Sequence, residues 1–359
     1  MLEAAENESG PLTSSTAKAA ADPIVVIGAQ KLSSGSTPGD RGRDPTLEPA
    51  GVAVELGAFD IDRAPYPNEP GKKPLTGLTR ERAVELCKAR GRRLCSELEW
   101  ELACKGPENQ AYAGGAGWLS DCKSGTCASG FGAIGMGSIR EWTASEVEAV
   151  GDSKAGASVR GAARSAGDLD RRCAHRASVA PSTEDADLGF RCCGGDANEA
   201  TIPAPKKLPN FEKATLSPSD LGAMFASTKE LAKLGRDIKY FDPETSAKEV
   251  TQKGDAGTDP KGYELVTHPL AWRPVPGEDI VVVTGQAGDD SFIVALFRLA
   301  DGRYRVASSL VLRQDPGPVV LAYDRSVDGR LEWATCFHCP GESGRITYRD
   351  DKRVVITQE

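Results

Sequence analysis

The chain has 359 residues, with 52 acidic and 44 basic side chains and a formal charge of -8 at pH 7. This acidic balance, without a basic stripe, excludes a nucleic-acid-binding surface. The longest apolar runs are strand-sized, so the sequence predicts no transmembrane segment. The length is sufficient for two domains, each with its own hydrophobic core.

The ten cysteines are an even number in uneven clusters, which favours disulfides and therefore an oxidising compartment. The alternative is a cytosolic enzyme with reduced, buried thiols, which a count of free thiols would distinguish. Met1–Gly10 is acidic and lacks the apolar region of a signal peptide. A processed or misassigned start would reconcile the two observations. We therefore expect an extracytoplasmic protein (periplasmic, envelope-associated or secreted).

Composition divides the chain into four parts. Residues 1–50 are rich in small and polar residues and predict a disordered arm with at most one short strand, at Ile24–Ile27. This arm is a candidate tether to an envelope. Residues 51–196 predict a mixed domain, residues 197–259 a linker with a helix at about 218–234, and residues 260–359 an all-β domain.

Two adjacent helices organise the first domain. One is predicted from about Thr79 to Arg90, and a second near Ser96–Cys104. Ser96 and Glu99 have capping-box spacing, which places the start of the second helix.

The rest of this domain alternates between loop and short strands. Gly106–Gly135 is glycine-rich and predicts a loop, in which Cys122 and Cys127 would close a small ring. Short strands are predicted at Val159–Arg164 and Arg172–Arg176.

Seven short apolar runs, separated by turn residues, predict a small β-sandwich or barrel at the C-terminal end. They are Ile280–Thr284, Phe292–Leu299, Tyr304–Leu312, Val319–Tyr323, Leu331–Thr335, Arg345–Tyr348 and Val354–Thr357. Cys336 and Cys339 fit a small disulfide better than half of a zinc site, because no second pair follows.

Five motifs of the first domain occur in a recognisable order. They are GRRLCSELEWELA at Gly91–Ala103, GSIREW at Gly137–Trp142, RGAAR at Arg160–Arg164, RCAHR at Arg172–Arg176 and GFRC at Gly189–Cys192. They resemble the GKRLPTEAEWEYA, GNVWEW, RGGSW, R-C-A-x-R and GFRC motifs of the formylglycine-generating enzyme family, also called sulfatase-modifying factors. The resemblance covers roughly Val52–Gly195 and implies an α+β domain with a C-type-lectin-like fold.

The resemblance also implies how cysteines pair. The two disulfides of the family become Cys87–Cys192 and Cys104–Cys173 in this chain. Cys95 replaces a proline of the family and Cys193 doubles its last cysteine, so these two are expected to pair with each other. With Cys122–Cys127 and Cys336–Cys339, all ten cysteines are then assigned.

The family's oxidase converts a substrate cysteine to formylglycine with copper(I) held by two cysteines five residues apart. Counting back from Cys173 places Ala163 and Asp168 at these positions, and counting from the RGGSW strand shifts the first to Ala166. Copper(I) requires soft thiolate ligands. The resemblance therefore predicts that the copper site is missing.

Three further side chains are weak candidates for chemistry. Ser138 and Glu141 lie in the motif that holds calcium in the family, but Ser138 replaces an asparagine and is a poorer oxygen ligand. A structural role for Glu141 as a buried hydrogen-bonding acid is favoured over a ligand role. His175 is the candidate acid or base, although a histidine beside a disulfide is more often structural.

We therefore expect no catalytic site and no bound copper, with calcium as the remaining candidate cofactor. The leading hypothesis is a non-catalytic module that binds a peptide, a glycan or a partner protein, followed by a second interaction domain. The rival is a formylglycine-generating oxidase acting on a sulfatase cysteine, or a relative with a different metal site.

Overall fold

The computed structural model describes residues 22–69, 72–149, 154–235, 237–252, 263–314, 317–324, 331–336, 339 and 342–359. Its helices are α1 (Arg80–Lys88), α2 (Glu97–Lys105), α3 (Ser120–Lys123), α4 (Pro218–Ala226) and α5 (Pro243–Gln252), with 3-10 turns at Asp168–Arg171 and Leu231–Leu234. No described helix is long and apolar enough to cross a membrane.

The strands of the first half are β1 (Ile24–Ile27), β2 (Gln30–Gly35), β3 (Ala50–Leu56), β4 (Phe59–Asp62), β5 (Arg93–Leu94), β6 (Arg140–Val147), β7 (Gly156–Arg160), β8 (Arg176–Val179), β9 (Leu188–Phe190) and β10 (Cys192–Gly194). They form two four-stranded sheets, ordered β1-β4-β10-β5 and β8-β7-β6-β9, and the hairpin β2–β3. Trp100 and Trp142 are fully buried and anchor two hydrophobic clusters. This mixture of helices and sheets confirms the predicted α+β class.

Helix α2 begins as predicted. The Ser96 hydroxyl accepts a hydrogen bond from the Glu99 N–H, and the Glu99 carboxylate accepts one from the Ser96 N–H at 2.8 Å. This reciprocal pair satisfies two amides that a helix start leaves without partners. Unlike an ordinary surface helix, α2 is buried along its whole length, including Glu97 and Glu101.

The strands of the second half are β11 (Phe211–Lys213), β12 (Ile238–Lys239), β13 (Tyr263–Val266), β14 (Leu270–Trp272), β15 (Ile280–Ala287), β16 (Asp290–Arg298), β17 (Tyr304–Leu312), β18 (Val320–Asp324), β19 (Leu331–Ala334), β20 (Ser343–Tyr348) and β21 (Val354–Ile356). One sheet has the order β11-β14-β15-β16-β17 with β12 beside β15, and the other is β13-β18-β19-β20-β21. Ile293 of the first sheet and Trp333 of the second share one core. The all-β prediction is thus confirmed as a two-sheet sandwich.

The region predicted as a linker differs from expectation. β11 and β12 pair with β14 and β15, so this part of the chain belongs to the sandwich. The single helix predicted over 218–234 is divided in two. Its first part ends at Ala226 because the hydroxyls of Ser227 and Thr228 both donate to the Met224 carbonyl and compete with the helical ladder.

Two other predictions need correction. The strand expected at Arg172–Arg176 begins only at Arg176, because the preceding residues form a turn closed by the His175 N–H on the Arg172 carbonyl. The glycine-rich segment contains the one-turn helix α3.

The N-terminal arm is folded from residue 22 onward, contrary to the prediction of disorder for residues 1–50. Residues 36–48, here called the strap, lie between the two halves. Arg43 of the strap is 1% exposed and its Nη1 lies 2.9 Å from the Glu278 carboxylate of the sandwich. Glu48 of the strap accepts two hydrogen bonds from Arg172 of the first domain. The prediction failed because polar residues here find buried partners far away in sequence; residues 1–21 lie outside the described part.

All ten cysteines form disulfides, in the pairs assigned from the sequence. They are Cys87–Cys192, Cys95–Cys193, Cys104–Cys173, Cys122–Cys127 and Cys336–Cys339. Such a set indicates an oxidising environment.

Candidate functional site

A cavity of about 1180 Å³ opens on the first domain. Its walls come from four segments, with lining residues within 63–69 and 72–74, 118–126, 134–139 and 164–171, and from Pro23 just before β1. Two of these segments contain a short helical turn, at Ser120–Lys123 and Asp168–Arg171, and side-chain hydrogen bonds hold the segments in place.

Arg171 holds two of the loops together. Its guanidinium is buried and donates to the carbonyls of Gly137 at 3.0 Å, Ala163 at 3.1 Å and Arg164 at 2.9 Å. Its Cζ lies 5.1 Å from the centre of the Trp118 ring, within the range of a cation–π contact. Arg171 therefore has a structural role in the cavity wall.

Asn68 fixes the loop that follows β4. Its side-chain oxygen accepts from the Ala64 N–H at 2.9 Å and its side-chain nitrogen donates to the Pro23 carbonyl at 2.8 Å. Its φ of 59° lies in the left-handed region, which asparagine tolerates better than most residues. Arg63 donates to the Gly132 carbonyl at 2.8 Å and so joins this loop to the segment that precedes Ile134.

The charged side chains of the cavity lining are predominantly basic. It contains Arg63, Lys72, Lys73, Lys123, Arg164 and Arg171 against Glu69 and Asp168. Lys72 pairs with Glu69 at 3.4 Å and Arg164 with Asp187 at 2.7 Å. Within the described part of the chain, Lys73 and Lys123 have no ion-pair partner.

The positions assigned to the copper cysteines fall on this cavity. Ala166 and Asp168 line it, while Ala163 contributes a backbone carbonyl to Arg171. None of these residues offers a thiolate, and every cysteine of the chain is in a disulfide. The donor set therefore does not fit copper(I).

The two weak calcium candidates are not brought together. Ser138 lies on the cavity and its hydroxyl donates to the Gly135 carbonyl at 2.6 Å. Glu141 is fully buried, and both its oxygens accept from Arg191, at 2.7 and 2.8 Å. A carboxylate neutralised by a guanidinium is a poor calcium ligand, so this arrangement favours a structural role for Glu141.

A second potential metal cluster lies in the sandwich. Among the described residues, Cys336, Cys339 and Glu342 bring their ligand atoms within 4.8 Å of one another. The two cysteines are bonded to each other, which removes the thiolates that a zinc site would need.

His175 lies outside the cavity lining and is half-buried beside the strap. Burial lowers its pKa below the ordinary value of about 6.5, and Arg172 and Arg160 act in the same direction, whereas Glu48 and Asp170 oppose them. The folded protein therefore favours the neutral imidazole.

This shift predicts a pH dependence of stability. The unfolded chain binds a proton more readily, so stability is lost as the pH falls below about 6.5, by at most about 1.4 kcal/mol per pH unit from this group. His175→Gln should flatten the decline in the free energy of unfolding, measured with urea between pH 7.5 and 5.5. An unchanged slope would contradict a structural, neutral His175.

The sequence analysis missed a buried ionic cluster in the first domain. Glu97 and Glu101 of α2 are buried, and both accept hydrogen bonds from Arg160 of β7, at 3.2 and 3.0 Å. Arg176 adds two bonds to Glu97, at 2.6 and 2.7 Å. The signal in the sequence was the alternation of acids in ELEWE, together with arginines in the RGAAR and RCAHR motifs.

Residues 61–194 match the family model of the sulfatase-modifying factor enzyme 1-like domain. The Treponema denticola variable protein 1 is a structural neighbour with 14% identity and a TM-score of 0.40, covering 47% of this chain and 94% of its own. PvdO from Pseudomonas aeruginosa has 19% identity and a TM-score of 0.37, covering 47% and 93%. No curated protein matches the chain. The predicted family resemblance is confirmed for residues 61–194.

Proposed function

We propose that the domain at residues 61–194, which matches the family model of the sulfatase-modifying factor enzyme 1-like domain, is a non-catalytic binding module whose ligand site is the basic cavity. The sandwich is then a second interaction module. The strap connects the two parts through Arg43, which pairs with Glu278 of the sandwich, and Glu48, which pairs with Arg172 of the first domain.

The observation that carries the proposal is the donor set of the cavity. The resemblance assigns the two copper cysteines to Asp168 and to Ala163 or, by the second count, Ala166, none of which offers a thiolate, and the ten cysteines are all engaged in disulfides. The cavity volume of about 1180 Å³ is slightly above the range typical of small-molecule sites. A retained cavity without the ligands for copper(I) supports binding rather than oxidation.

The disulfides also support a location outside the cytoplasm. Cytosolic reductants keep most thiols reduced, whereas five bonds in one chain are typical of periplasmic or secreted proteins. The reading as a cytosolic enzyme with reduced thiols requires free thiols in the purified protein.

A copper(I) titration, with free thiols counted on the same sample, tests the proposal. We expect no tight copper(I) binding and no reactive thiol in the oxidised, folded protein. The reduced and unfolded chain, with ten thiols, serves as the positive control for copper binding. Tight binding by the folded, oxidised protein would overturn the proposal and favour the rival oxidase.

A further inference from the structure

The charge of the cavity is opposite to that of the chain. Among the described residues, six basic and two acidic side chains line it, although the protein as a whole has a formal charge of -8. The hydrogen-bond partners of the Arg171 guanidinium are backbone carbonyls, and no carboxylate of the described residues pairs with it. Concave surfaces lined by one sign of charge concentrate ligands of the other sign.

The rim adds charge that is available to a ligand. Lys73 and Lys123 lack an ion pair within the described residues, and the pair between Lys72 and Glu69 is exposed and therefore weak. A ligand with several carboxylates would find basic partners from two different loops of the lining.

The interior of the cavity is apolar. Trp118, Ile134 and Ile139 form its walls together with Pro23 and Pro65. The Trp118 ring lies on the cavity wall, with the Arg171 guanidinium against it and the hydrophobic core behind it. Preorganised aromatic surface of this kind is where binding energy concentrates in protein interfaces.

The polar side chains of the lining argue for a peptide over a glycan. Both ends of the Asn68 amide are bonded within the protein, and the Ser138 hydroxyl donates to Gly135. Ser124 and Thr126 bond to each other at 2.8 Å and to the Asp121 carbonyl. Sugar hydroxyls would find few free directional partners, whereas an apolar side chain flanked by carboxylates fits the lining.

We propose that the cavity binds an acidic peptide segment of a partner protein, which inserts one apolar side chain against Trp118 and places its carboxylates at Lys73 and Lys123. This inference rests on the proposed binding function and names the class of ligand.

The test uses the full chain and a fluorescently labelled peptide of glutamates and aspartates with one central phenylalanine, followed by anisotropy. Lys73→Glu combined with Lys123→Glu should weaken binding about tenfold or more, because two attractions become repulsions. Lys206→Glu with Lys207→Glu, at exposed lysines away from the cavity, is the matched control and should change affinity less than about twofold. The wild-type affinity should also fall as salt rises.

Comparison peptides separate the two proposals. Replacing the phenylalanine of the peptide with serine should weaken binding, and so should Trp118→Ala in the protein. If the Trp118→Ala variant folds poorly, the lysine variants, whose substitutions are at exposed positions, still test the inference. A lysine-rich peptide that binds more tightly than the acidic one, and whose binding is abolished by Trp118→Ala, would contradict the inference that the ligand is acidic. The proposed binding function of the cavity would still stand. Equal losses of peptide affinity in the cavity variant and the control variant, or no binding of the acidic peptide at all, would overturn the inference. The copper(I) titration tests the proposed binding function separately.

Discussion

Replacing Cys87 and Cys192 together with alanine is expected to lower the free energy of unfolding by about 3 kcal/mol under oxidising conditions. The disulfide joins α1 to β10 across a sequence separation of 105 residues, but Cys95–Cys193 still connects the same two regions in the variant. The removal therefore releases a ring of only about ten residues in the unfolded chain, and the entropy that the unfolded state regains is one part of the loss. Both sulfurs also lie in a fully buried cluster, where truncation leaves a small void.

The same double replacement at Cys122 and Cys127 is the matched control. These residues are five apart, so the closed loop is short and the expected loss is about 2 kcal/mol. Chemical denaturation of the two variants and the parent, without reductant, gives the comparison. A larger loss in the control would contradict the proposed contribution of the long-range disulfide.

Glu97→Ala is expected to destabilise the protein by about 3–5 kcal/mol, because it leaves the buried Arg176 guanidinium without its carboxylate and leaves Arg160 with Glu101 alone. Glu97 is 2% exposed and accepts hydrogen bonds from Ser158 at 2.6 Å, Arg160 at 3.2 Å and Arg176 at 2.6 Å. The loss measures the unpaired charges that remain, more than the net contribution of the ion pairs themselves.

Glu85→Ala is the control for this cluster. Glu85 pairs with Arg82 on the exposed face of α1, where solvent screens the interaction. Its replacement should change the midpoint of urea unfolding little, whereas Glu97→Ala should shift it strongly. A small effect of Glu97→Ala would contradict this expectation and would mean that water or another side chain replaces the hydrogen bonds that Arg160 and Arg176 lose.

Local spacing determined several features of this protein from the sequence alone. The capping box at Ser96 and Glu99 depends on residues three apart, and the strands of the sandwich depend on short apolar runs between turns. The order of the five motifs was enough to identify the family domain and to assign long-range cysteine pairs.

Only the tertiary structure decided which polar residues become buried. Arg43 meets Glu278 at a distance of 235 residues in sequence, and Glu97 meets Arg176 at 79 residues. A polar strap and an acidic helix have the composition of exposed segments, because composition does not record a partner that is remote in the chain. The cavity likewise needs four loops from different parts of the domain. Burying these charges is tolerated only when the fold supplies the opposite charge at hydrogen-bonding distance, which is a property of three-dimensional packing and not of local sequence.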